Sequence, residues 1–116
     1  MVMRLIRLLF LFTLSGCYQA PLIENFDAVK WQIALTDCTD YRRIEAAPLL
    51  VAQKEAILSA TQNQVTELLG APDRHQLYDR NQKFFYYTLD CDGTKELSLR
   101  FDALGRVKEI QVVRAN

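Results

Sequence analysis

The hydrophobic period of this chain changes at Pro72. Before it, apolar residues recur every three or four positions. After it they recur every second position, in runs rich in β-branched and aromatic residues. A chain that reads as helices and then as strands must pack its helices on a sheet made by its second half. The expected class is α+β, a two-layer sandwich with two or three N-terminal helices on a three- to four-stranded antiparallel meander.

The helical half carries its own punctuation. Thr61 is a good N-cap and Gln64, three residues on, completes a capping box. Val65, Leu68 and Leu69 supply an apolar stripe, Gly70 fits a C′ position and Pro72 blocks continuation. From Ile44 to Leu58 a second helix is expected, with Ile44, Ala47, Val51, the stem of Lys54 and Leu58 on one face, widened by Leu50 and Ile57. Pro48 fits its first turn, where a missing N–H costs nothing. Val29 to Leu35 is ambiguous: its alternation is strand-like, yet Phe26, Val29 and Ile33 also share a helical stripe.

Past Pro72 the strands follow. Lys83 to Leu89 is strongly β-forming and is followed by Asp92-Gly93 in a turn. Leu97, Leu99 and Phe101 alternate with Ser98 and Arg100, and 102–105 makes a tight turn into Val107 to Val113. In that last strand Val107 and Ile110 fall on opposite faces unless a bulge intervenes. A further edge strand at His75 to Tyr78, turned by Asp79-Arg80-Asn81, completes the meander.

The first sixteen residues read as a leader rather than as fold. Arg4 and Arg7 precede the apolar run from Leu8 to Leu14, and Ser15-Gly16-Cys17 follows. The run falls well short of the ~20 apolar residues needed to span a bilayer. Leu14-Ser15-Gly16-Cys17 resembles the bacterial lipobox. That resemblance implies cleavage before Cys17, acylation of its thiol with palmitate-type chains, and a lipid anchor at the new N-terminus. Ordinary signal-peptidase cleavage, leaving Cys17 as a free thiol, is the alternative. Tyr18 stands where an Asp would retain a Gram-negative lipoprotein at the inner membrane, so the resemblance points to the outer membrane, facing the periplasm. Residues 17–25 then form the lipidated N-terminus and a short tether, and residues 26–116 a single domain.

Composition agrees with one packed domain: 116 residues, 50% apolar and 24% charged. Fourteen basic residues balance fourteen acidic ones. The leader removes Arg4 and Arg7, leaving 12 basic against 14 acidic and a net charge of −2. Neither balance carries the footprint of a nucleic-acid binder.

With Cys17 assigned to lipid, Cys38 and Cys91 are an even pair in an oxidising compartment and are expected to form a disulfide. The loop they close, 54 residues, makes the bond worth about 4 kcal/mol. A redox or metal site is the competing reading, but there is no Cys-x-x-Cys, and His75 is the one imidazole.

Nothing in the chain assembles a reaction centre. It has no phosphate loop, nucleophile elbow or zinc spacing, and Asp90-x-Asp92-Gly93 lacks the ligand ladder of a calcium loop. No cofactor, metal or enzymatic activity is expected. A binding surface is. Phe84, Phe85, Tyr86 and Tyr87 are consecutive, and a strand hides only alternate side chains beneath a helix layer. Phe84, Tyr86, Tyr87 and Arg100 are therefore the candidate partner-binding residues. In the other reading, residues 24–38 cover this face with Trp31 as its lid.

The run Thr61-x-x-Gln64-Val65-x-x-Leu68-Leu69-Gly70-x-Pro72 resembles the helix-to-loop hallmark of the SmpA/OmlA (BamE-like) outer-membrane lipoproteins. Phe85-Tyr86-Tyr87 matches their aromatic strand. Leu97-x-Leu99-x-Phe101-Asp102-x-x-Gly105-x-Val107 matches their strand ending in Phe-Asp before a Gly turn. The likeness covers Thr61 to Val113, about half the chain. It implies a BamE-like fold and a non-enzymatic protein-interaction module, accessory to outer-membrane protein assembly or to envelope integrity. A small ligand-binding or enzyme-inhibiting protein on the same fold is the alternative.

Overall fold

A computed structural model describes residues 20–37, 42–78 and 82–115. The expectations for the 1–16 leader, for Cys17, for Cys38 and for the Asp79-Arg80-Asn81 turn lie outside the described residues. Within them the order is α1 (Ala28–Asp37), α2 (Arg43–Ala52), a 3-10 turn (Lys54–Ala56), α3 (Gln62–Leu69), then β1 (Arg74–Tyr78), β2 (Gln82–Thr88), β3 (Lys95–Phe101) and β4 (Val107–Arg114). The strands form one antiparallel sheet in the order β1-β2-β3-β4. Helices precede strands and pack on one face, so the molecule is an α+β two-layer sandwich.

The core lies between the layers. Phe85, Tyr87, Leu97, Leu99 and Phe101 point from the sheet towards Trp31, Leu50, Ile57, Val65 and Leu69. Phe85 and Phe101 meet edge to face at 4.7 Å, and Tyr87 meets Trp31 in the same way at 6.3 Å. The Tyr87 hydroxyl donates to the Gly70 carbonyl at 2.9 Å, so its polar end is satisfied within the core.

The ambiguous segment is helical. Asp27 begins α1: its carboxylate accepts the Lys30 N–H at 3.0 Å and its carbonyl accepts that of Trp31. The buried side of α1 is Trp31 and Ala34. The expected stripe is split. Phe26 packs on Trp31 at 5.6 Å, whereas Val29 and Ile33 lie opposite Trp31 on the helix and are 70% and 60% exposed. Trp31, the largest side chain of the helix, is held between Phe26 and Tyr87 in the core, and it sets the rotation of the helix.

The second helix also departs from expectation. It ends at Ala52, and Pro48 is its sixth residue, inside the helix rather than in the first turn. That position forgoes one backbone bond to the Ile44 carbonyl. Its inward face is Ala46, Ala47 and Leu50, and Ile57 joins the core after the break. Lys54 is exposed. Burial of this face outweighs the lost bond.

In α3 both halves of the capping box are made: the Thr61 hydroxyl accepts the Gln64 N–H and the Gln64 side chain accepts the Thr61 N–H. The question over β4 resolves as a bulge. Arg100 faces Glu109 while Phe101 faces Val107, so Lys108 is the extra residue and both Val107 and Ile110 turn inward. Gly105, at φ 77°, takes the left-handed position of the 102–105 turn.

The tether is partly folded. Ala20, Ile23 and Phe26 pack against the core, and Glu24 and Gln53 exchange two hydrogen bonds, at 2.7 and 2.9 Å. From Ala20 onward the chain belongs to the domain.

Candidate functional site

The pleat of the sheet decides which aromatics are available. Phe85 and Tyr87 point under the helices, and Phe84 and Tyr86 point away from them. The register places Arg74, Tyr86, Ser98 and Gln111 in one row across the open face, with Gln76, Phe84, Arg100 and Glu109 in the next.

The aromatics form a ladder. Tyr78 meets Phe84 edge to face at 5.0 Å, and Phe84 stacks on Tyr86 at 5.9 Å with the rings 10° from parallel. The Tyr78 hydroxyl donates to the Gln76 side-chain oxygen. Arg74 lies over the Tyr86 ring with its guanidinium carbon 3.8 Å from the centroid. The same guanidinium grips Glu96 through two hydrogen bonds, Nη2 to Oε1 at 2.7 Å and Nε to Oε2 at 3.1 Å. These bonds raise the pKa of Arg74 above its ordinary value.

Beneath that lid Tyr86 is only 8% exposed, and Glu96 and Ser98 are buried as well. Burial, followed by a hydrogen bond with the Tyr78 hydroxyl, pushes the Tyr86 phenol up to about 12. Arg100 pairs more loosely with Glu109 at 3.9 Å. Each arginine thus has its carboxylate, and the face presents rings, amides and hydroxyls without a strong net field.

Of the four candidate residues, Phe84, Tyr86 and Arg100 come together on this face. Tyr87 does not. It is fully buried on the helix side, because residues adjacent in a strand point to opposite faces. The proposed lid is corrected with it: Trp31 covers Tyr87 and α1 lies with the helix layer, so none of the described helices lies on the outer face. Sequence reasoning missed Arg74, Tyr78 and Glu96. The register of β1 on β2 was the missing information, and the alternation of Arg74, Gln76 and Tyr78 was its only local trace.

The other titratable groups fall elsewhere. Cys91 is disulfide-bonded; Cys38, its expected partner, lies outside the described residues. Asp90 accepts hydrogen bonds from the Thr94 N–H and hydroxyl and from the Lys95 N–H, so it stabilises the β2–β3 turn. His75 is exposed on β1, on the opposite side of the sheet from the ladder. Among the described residues, no group of three or more His, Cys, Asp or Glu side chains is placed to hold a metal ion.

Set against protein-family models, curated proteins and solved structures, the chain matches none of them.

Proposed function

We propose that this is a lipid-anchored envelope protein, held to the membrane through Cys17, that works as a non-enzymatic interaction module through the open face of its sheet. In this reading it belongs with the SmpA/OmlA (BamE-like) lipoproteins of the outer membrane and faces the periplasm. It serves outer-membrane protein assembly or envelope integrity. The observation that carries the reading is the Tyr78–Phe84–Tyr86 ladder, flanked by Arg74 and Arg100 on the sheet face opposite the described helices.

Two arguments support it. Rings and arginines concentrate binding energy at protein interfaces, since they bury large area with few rotors and few unpaired groups. Anchoring is argued from the leader and Leu14-Ser15-Gly16-Cys17, and no helix among the described residues is long and apolar enough to cross a membrane, so attachment would rest on lipid.

The test is photo-crosslinking in intact cells from a probe at Phe84, with a second probe at Lys108 on β4 as control. Crosslinks to barrel-assembly components that appear only from Phe84, and disappear with Arg100→Ala, support the reading. Crosslinks to a secreted hydrolase would favour the inhibitor alternative. No face-specific crosslink in correctly folded protein would refute the docking role.

A further inference from the structure

We propose that one end of the domain seats directly on the bilayer, with Leu22 and Leu104 inserted into its interfacial layer. The inference rests on the lipid-anchoring reading of Cys17.

Pro21 lines a cavity of about 300 Å³ together with Leu58, Ser59, Gln64 and Arg106. Three residues separate Cys17 from Pro21, a span of at most about 14 Å, so an acylated Cys17 holds this cavity close to the lipid. The end of the molecule that carries it cannot move far from the membrane.

That end also carries the two most exposed large apolar side chains among the described residues. Leu22, which follows Pro21, is 92% exposed, and Leu104 is 84% exposed. Leu104 sits at the tip of the 102–105 turn, which is fixed beside the cavity. The Arg106 guanidinium donates to the Ser59 carbonyl at 3.1 Å, and Thr61 bridges to Arg106. Asp102 stiffens the tip by accepting the N–H groups of Leu104 and Arg106 at 2.9 and 3.1 Å. A leucine held out on a rigid turn pays its hydration cost in solution and is relieved of it by insertion.

Charge is compatible with this seat. Arg106 and Lys108 are exposed around the same turn, and both act on Asp102 closely enough to help hold its pKa down. Cations ringing an apolar tip suit the headgroup layer. Leu77, Val112, Val29 and Ile33 are exposed too, but nothing ties them to the short stretch of chain behind the anchor.

The test uses the full-length protein, purified with its lipid from a host that processes lipoproteins and reconstituted in phosphatidylcholine vesicles with or without brominated acyl chains. Trp31, the one tryptophan, is fully buried and gives a background that bromine cannot reach. In Leu104→Trp the added fluorescence should fall by roughly half in brominated vesicles, while Ile33→Trp and Gln111→Trp should change by less than about a tenth. Adding Leu22→Asp to Leu104→Trp should weaken the quenching. Unquenched Leu104→Trp on protein that is acylated at Cys17 and floats with the vesicles overturns the seat and leaves the anchor standing. Quenching strongest at Ile33→Trp overturns it also. A chain unmodified at Cys17 that fails to float removes the anchor, and this inference with it.

Discussion

Arg43 donates to Asp73 across 3.0 Å, and that guanidinium joins four separate stretches of chain. Its Nε donates to the Trp31 carbonyl at 2.8 Å and its Nη1 also reaches the Thr88 carbonyl at 3.2 Å. Asp73 in turn accepts the Thr88 N–H at 2.8 Å. Arg43 is buried and its guanidinium carbon lies 5.0 Å from the Trp31 ring centroid, so the charge sits on an aromatic face as well as in an ion pair. The helix layer and the mouth of the β1–β2 pair are fastened at one point.

Arg43→Met should therefore destabilise the domain by about 3 kcal/mol, because it removes the buried cation that bonds two carbonyls and pairs with the Asp73 carboxylate. Asp73→Asn should cost less, about 1 kcal/mol, since Asp73 is partly solvated and an amide oxygen can still accept the Thr88 N–H. Urea unfolding of both variants is the measurement. Equal losses would mean that the pair is not the hub.

The disulfide of Cys91 should map to Cys38 in a non-reducing peptide digest. Replacing both residues with serine should lower stability by about 4 kcal/mol through the freed denatured chain. A Cys91 peptide linked instead to Cys17 would defeat the clamp and the anchor together.

Thr61→Ala removes the hydroxyl that accepts the Gln64 N–H at 3.2 Å. A loss of about 1 kcal/mol is expected, with Thr61→Ser restoring most of it. Thermal unfolding of the pair checks this. A serine variant as weak as alanine would point to the lost methyl rather than the cap.

Acid should weaken the two turns of the sheet. Hydrogen bonding holds Asp90 below its ordinary value, chiefly through the Thr94 hydroxyl, and Asp102 likewise, chiefly through the Arg106 N–H. A carboxylate with a depressed folded pKa adds stability above its unfolded value near 4, and that stability is lost as pH falls through the folded value. Urea midpoints measured from pH 7 down to pH 2.5 should decline below about pH 4, and less so in Asp90→Asn with Asp102→Asn. An unchanged acid limb in the double variant would sink this account.

Tyr86 makes the opposite demand. With its phenol pushed up to about 12, the folded state favours the neutral ring, so this contribution is complete below pH 10 and fades as pH rises through 12. Alkaline titration followed by phenolate absorbance should show a component near pH 12 in the folded protein, absent in Tyr86→Phe.

Much of the fold was legible in the sequence because its signals are short-range. The capping box at Thr61 and Gln64, the left-handed glycine at Gly105 and the alternation of Leu97, Leu99 and Phe101 each act among residues a few positions apart. Chain order alone then yields helices followed by a meander. Tertiary structure decided the rest, because opposite faces of one element compete for a single core. Trp31 turned α1 so that Val29 and Ile33 face outward. The register of β1 on β2 set Arg74 above Tyr86 and left Tyr87 inside. Arg43, Asp73 and Glu96 carry no local mark of their roles, since each partner lies 12 to 45 residues away along the chain and meets it only when the layers close.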